Sequence, residues 1–128
     1  MSCACVISAE DADDFVDVIE QVVRAARKPH KCTECREPIL PGQRYEYMFG
    51  KFDGDTVRLH TCELCVEIGR FYSCGGYIPG EIWNDLEEGM FEHFHHGCLE
   101  AGDEKQPLSA AAKRKIVDRW RRWKGLAA

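Results

Sequence analysis

Cys32-Thr33-Glu34-Cys35 and Cys62-Glu63-Leu64-Cys65 are two Cys-x-x-Cys pairs with 26 residues between them. A short pair sets two sulfurs on one side of a turn, and two pairs complete the four thiolates of a tetrahedral shell, the coordination zinc prefers. The spacing therefore predicts one structural Zn2+ held by Cys32, Cys35, Cys62 and Cys65. The second pair falls at a predicted helix start, where unpaired N–H groups favour thiolates. Four protein ligands leave no open position on the metal, which argues against zinc catalysis. Cys62 and Cys65 alone could instead form a thiol–disulfide couple at a helix start. The first pair, and the lack of a βαβ pattern around the second, favour metal.

Four further cysteines remain: Cys3, Cys5, Cys74 and Cys98. Together they are candidates for a second Zn2+, with His30, His60 or His96 able to replace one ligand. Cys-x-Cys can chelate only where the chain is not a flat strand, since alternate side chains there face opposite ways. The plainer alternative is two terminal thiols and two single cysteines. Glu92, His93 and His96 stand at helical spacings that could share an ion, although such histidines more often lie on a solvated face. His60, two residues before Cys62, is expected to point outward or to hydrogen-bond locally.

The elements that must position these groups are readable in outline. Ser8 and the acids Glu10, Asp11, Asp13 and Asp14 resemble a helix start. Phe15, Val18, Ile19, Val22, Val23 and Ala26 follow at helical spacing, which predicts a helix ending before Pro29. Arg44 to Phe49 and Thr56 to His60 read as two strands joined at Asp53-Gly54, a hairpin signal. A helix is predicted from about Cys62 to Tyr72. Another is predicted from about Gly80 to His96, burying Ile82, Trp83, Leu86, Met90 and Phe94. The last runs from about Ser109 to Lys124, after a polar linker at 101–107. Knuckle, hairpin and helix in that order make a treble-clef zinc finger. The expected fold class is thus α+β, with flanking N- and C-terminal helices. Residues 1–100 form the zinc-stabilised unit, and residues 101–128 form the linker and a basic amphipathic helix.

The run from Ala26 to Cys35, continuing through Ile39, Pro41-Gly42, Tyr45 and Asp53-Gly54 to Thr61-Cys62-Glu63-Leu64-Cys65, resembles a family of small treble-clef proteins of tailed bacteriophages and prophages. The likeness extends to Cys3 and Cys5 and to the Cys74-Gly75-Gly76 turn before an acidic, Trp-containing helix. It covers roughly Cys3 to Glu88 and is most specific in the zinc segment. It implies fold, metal and phage origin rather than a reaction.

Composition bounds what such a unit can do. A chain of 128 residues, 45% hydrophobic and 30% charged, is long enough for one core and a satellite helix. No apolar run approaches the ~18–20 residues of a membrane span. The start lacks the basic and apolar regions of a signal peptide, so a reducing cytoplasm is expected, where paired cysteines are more often metal ligands than disulfides. Ser109 to Ala128 carries seven basic residues and one acid, a net +6, which leaves −11 on the rest of a chain whose net charge is −5. Within that tail Lys113, Arg114, Arg119, Trp120, Arg121, Arg122 and Trp123 are the candidate contacts for a partner or for nucleic acid. Ile116, Trp120 and Trp123 at i, i+4 and i+7 also describe a docking stripe, on the body or on another subunit.

Three functions follow. The first is a non-enzymatic zinc-stabilised module of phage type that binds and modulates a host or phage protein. The second is a nucleic-acid-binding regulator acting through the C-terminal helix. The third is a treble-clef nuclease. Its chemistry needs a metal-binding His and a general-base His around hairpin and helix, and this segment offers only His60.

Overall fold

The computed structural model describes residues 6–7, 17–52, 54–73, 80–100 and 107–125. They form an α+β unit: β1 (Asp17–Ala25), β2 (His30–Lys31), β3 (Pro38–Ile39), β4 (Arg44–Phe52), β5 (Asp55–Cys62), α1 (Glu63–Tyr72), α2 (Ile82–Gly89) and α3 (Ala110–Lys124). Two short 3-10 turns, Phe91–His93 and His96–Leu99, connect α2 to the segment leading into α3.

The main sheet is antiparallel in the order β1-β4-β5, and β2 pairs with β3 in a separate two-stranded ribbon. The hairpin read around Asp53-Gly54 is present: Tyr45 lies opposite Cys62 and Tyr47 opposite His60. Gly54 turns the chain at φ +87, a backbone region that L side chains rarely enter. That register carries the second cysteine pair to the end of β5, where Cys62 becomes the N-cap of α1.

The first predicted helix is corrected by the structure. Asp17–Ala25 is a strand paired along its length with β4, Val22 opposite Tyr47 and Arg24 opposite Tyr45. Four of its nine residues are Val or Ile, whose branched Cβ restricts the side chain in a helix and suits a pleated surface. The i, i+4 spacing of Val18, Ile19, Val22 and Val23 mimicked an apolar helix stripe. In the strand these side chains stay largely in solvent, 39–59% exposed. The proposed start of that helix, at Ser8 to Asp14, lies outside the described residues, as do Asp53 and the 101–106 part of the linker.

The helix predicted from Gly80 to His96 is shorter. It closes at Gly89, and the backbone leaves helical geometry at Met90 (φ −131). A Cβ on Gly89 would stand 2.9 Å from Cγ1 of Val6, so this close approach admits only glycine without a shift of Val6. Ile82, Trp83, Leu86 and Met90 are buried as expected, whereas Phe94 is half-buried.

The basic C-terminal helix docks on the body. Ala112 and Ile116 are fully buried in the same apolar cluster as Ile68 and Tyr72 of α1 and Leu86 of α2. Ser109 caps α3 by accepting the Ala112 N–H (3.1 Å), while its own N–H and hydroxyl bond the two carboxylate oxygens of Glu67 on α1. Trp120 donates its indole N–H to the Phe91 carbonyl at 3.0 Å. Among the described residues no helix is long and apolar enough to cross a membrane.

Candidate metal centre

Cys32 and Cys35 occupy the turn between β2 and β3. The turn closes through Arg36 N–H to the Cys32 carbonyl (3.0 Å) and Cys32 N–H to the Glu37 carbonyl (2.9 Å). Arg36 takes φ +65 to let it do so. Thr33 fastens the turn to β5: its N–H bonds the His60 carbonyl (2.7 Å) and its hydroxyl accepts the His60 N–H (3.1 Å). Two sulfurs are thereby held against the strand end that carries the other two.

The four sulfurs lie within 4.8 Å of one another, and Cys35 and Cys62 Sγ are 3.9 Å apart. A tetrahedron with Zn–S bonds of ~2.3 Å has edges of roughly 3.8 Å, so the arrangement fits one tetrahedral ion. Cys32 and Cys65 are fully buried and Cys35 is nearly so. All four cysteines are free of disulfides. The group can therefore hold one metal ion, and it is the one such group among the described residues.

As thiols the four share protons unequally. Hydrogen bonds from Cys35, Cys62 and Cys65 hold Cys32 well below the usual thiol range. Cys35 is pushed up by Cys32 but more strongly down by Cys62 and Cys65, to about 6. Cys62 and Cys65 are raised in return, first by their bonds to Cys32. Four sulfurs this close cannot all ionise without a cation, which is the electrostatic demand a divalent metal meets.

Donors from three other places face the sulfurs. The Cys62 backbone N–H points at Cys32 Sγ (3.4 Å), and the Trp83 indole N–H points at Cys65 Sγ (3.4 Å). Lys115 of α3 forms an ion pair with Glu37 beside Cys35. Burial alone would lower the lysine pKa, but Glu37 and the nearby sulfurs of Cys35, Cys65 and Cys62 raise it instead. N–H groups and one ammonium thus offset the net double negative charge that four thiolates leave on a divalent ion.

Glu34, inside the first pair, ties the centre to α2. It is 6% exposed, and its two carboxylate oxygens accept the N–H groups of Gly80 (2.6 Å) and Ile82 (3.1 Å) at the helix start. Burial raises its pKa, against the lowering effect of those two bonds. Neither Glu34 nor the Trp83 N–H nor Lys115 was identifiable as part of the centre from spacing, because each reaches it across tertiary structure.

The other candidates fare differently. Cys3, Cys5 and Cys74 lie outside the described residues. Cys98 is buried and disulfide-bonded, so its sulfur as it stands is no thiolate ligand. The His60 ring does not stand free in solvent: it stacks on His30 (centroids 4.3 Å apart, planes at 17°), with Tyr45 and Tyr47 alongside. His93, His95 and His96 are exposed, and His96 faces Glu100 at 3.5 Å rather than Glu92.

In the tail Arg119 pairs with Glu87 of α2 (3.3 Å) and lies over the Trp83 ring, which joins the acidic helix to the basic one. Trp120 is half-buried against Phe94 (5.1 Å), and Lys113 is also half-buried. Arg114, Arg121, Arg122 and Trp123 are exposed, although the Trp123 ring touches Phe91 at 5.8 Å. No protein-family model, curated protein or solved structure compared with the chain matches it.

Proposed function

We propose that the chain is a non-enzymatic, zinc-stabilised treble-clef module of phage type that binds and modulates a host or phage protein in the cytoplasm. The observation that carries this reading is the four-sulfur shell at the junction of turn, hairpin and helix. With all four positions taken by buried or half-buried cysteines, an ion there has no site left for water or substrate, and its work is to hold elements together. The order of β2–β3 turn, β4–β5 hairpin and α1 supports the treble-clef description. The phage assignment rests on the sequence resemblance of the Ala26 to Cys65 segment.

Nucleic-acid binding through α3 is the second reading. Arg114, Arg121 and Arg122 favour it, since they stay in solvent while Lys115 and Arg119 pair with acids of the body. One experiment separates the two. The zinc-loaded protein is used to capture partners from infected and uninfected host lysates, with and without nuclease treatment, and its metal content is measured in parallel. The primary reading expects at least one zinc per chain and a protein partner that survives nuclease. Capture abolished by nuclease would move the function to α3, and a protein that folds without metal would remove the basis of the primary reading.

A further inference from the structure

We propose that β1 is a self-pairing edge: a second copy of the chain adds its own β1 antiparallel to this one, joining two three-stranded sheets into one of six strands.

β1 bonds β4 on one side, and among the described residues no strand lies on the other. Every residue from Val18 to Ala25 is exposed. Of the six large apolar side chains that are exposed among the described residues, four belong to this strand: Val18 at 48%, Ile19 at 59%, Val22 at 39% and Val23 at 51%. A long apolar edge with unpaired backbone groups is a template for another strand, and folded proteins normally blunt such edges with charge, proline or cover. This edge carries no proline, and its two charges at the regular part of the strand have opposite signs.

Those charges are what identify the occupant as a second copy. The register with β4 is interrupted between Val18 and Glu20, which leaves Glu20 to Ala25 as the regular segment. Glu20, Val22 and Arg24 pair with Phe49, Tyr47 and Tyr45 and so share one face, while Gln21 and Val23 share the other. A two-fold axis through the sheet keeps like faces together, so a residue must pair with one an even number of positions away. Centring on Gln21 sets Glu20 against the partner's Val22, and centring on Val23 sets Val22 against the partner's Arg24. Only the register centred on Val22 places Glu20 opposite the partner's Arg24, twice by symmetry, with the two Val22 side chains meeting between them.

Each charge is available for that role. Glu20 and Arg24 stand four residues apart, roughly 13 Å along the strand backbone, and form no salt bridge with each other, although the Glu20 charge acts on Arg24. Glu20 has no ion-pair partner among the described residues. Arg24 uses its Nε toward the Tyr45 hydroxyl (2.9 Å) and lies over the Tyr47 ring (4.2 Å), which holds the guanidinium on this face without engaging a carboxylate. Pairing a short strand segment buries a small interface, so the expected dimer is of the weak, micromolar class.

The test is the mass of the full-length, metal-loaded chain by light scattering and sedimentation over a range of concentrations. The wild type should move from 14.6 kDa toward twice that mass as concentration rises. Glu20→Arg should raise the dimer dissociation constant by about tenfold or more, because two like-charge contacts replace two attractive ones. Arg24→Glu should do the same. An equimolar mixture of the two variants should recover a dimer, since each then supplies the charge the other lacks. Val22→Lys, at an exposed position, tests the centre of the register independently of the Tyr45 bond and should also give a monomer. A wild type that stays monomeric throughout overturns the proposal. So does a dimer that ignores Glu20→Arg and Val22→Lys, or association that occurs only with another protein or a nucleic acid.

Discussion

The indole N–H of Trp83 points at the sulfur of Cys65 across 3.4 Å, and this contact joins α2 to the metal centre on α1. A hydrogen bond to a thiolate drains negative charge from it and fixes its direction, and groups at this remove typically change metal affinity 10–100-fold. Trp83→Phe keeps the ring against the core, where Trp83 is 3% exposed, and removes only the donor and part of the volume. We expect about tenfold weaker zinc binding in competition with a chelator, with an unchanged far-ultraviolet circular dichroism spectrum of the loaded protein. Equal affinity in the two proteins would make the contact one of packing alone.

Removing the metal should cost far more than removing its neighbour. The β2–β3 ribbon shares no sheet with β5, and it is tied to β5 and α1 chiefly through the four sulfurs, the Thr33 bonds to His60 and the His30–His60 stack. Structural zinc contributes roughly 10–16 kcal/mol in small domains, comparable to the whole stability of a chain of this size. Cys65→Ala, or a strong chelator added to the wild type, should therefore abolish cooperative thermal unfolding. A chelated protein with the same melting curve as the loaded one would show that the cysteine cluster is not a structural metal site.

How far these features could be read from the chain depends on how local their causes are. The cysteine pairs and the Asp53-Gly54 turn announce themselves within a few residues, and so the centre and the hairpin were legible. Val18 to Val23 were not, because a spacing of four fits a helix stripe while the branched side chains fit a strand. Pairing with Tyr45 and Tyr47 on β4 decided between the two. Glu34 was hidden for another reason. It stands between two of the clustered cysteines, yet its partners are backbone N–H groups 46 and 48 residues away. Lys115 looked like one of seven equivalent basic residues until α3 brought it to Glu37.

Tyr72 supplies a pH dependence with a definite sign. Its hydroxyl donates to the Cys98 carbonyl at 2.6 Å in a buried setting, and burial raises its pKa above the ordinary value of ~10. Above that ordinary value the unfolded chain loses the phenolic proton while the folded chain keeps it. The unfolded state then binds fewer protons, and stability falls as pH rises. Below ~10 the full contribution is present. Tyr72→Phe should lose about 1–3 kcal/mol at neutral pH, by leaving the carbonyl without its donor. The gap between the two proteins should narrow from about pH 9 to about pH 11 in denaturant titrations. A constant gap would remove Tyr72 as the titrating group.

The C-terminal helix offers the sharpest division between residues that hold the fold and residues that face outward. Ile116 is fully buried among the side chains that α1 and α2 contribute, so Ile116→Ala should cost about 2–5 kcal/mol from lost burial and the cavity left behind. Lys115→Ala removes a pair whose lysine is largely shielded and whose glutamate is half in solvent, and about 1 kcal/mol is expected. Arg121 and Arg122 are exposed on the opposite side, and replacing both by Ala should change stability by no more than ~0.5 kcal/mol each. The three variants therefore rank in a fixed order in denaturant midpoints. The same double arginine variant is the one that should matter if α3 contacts a polyanion, because it leaves the folded body intact while removing two phosphate contacts. Its loss would lower the slope of log affinity against log salt by about two on a duplex. A stability loss from the arginines larger than that from Ile116 would mean that α3 docks by a different face from the one described. An unchanged salt slope would place any nucleic-acid contact elsewhere on the chain.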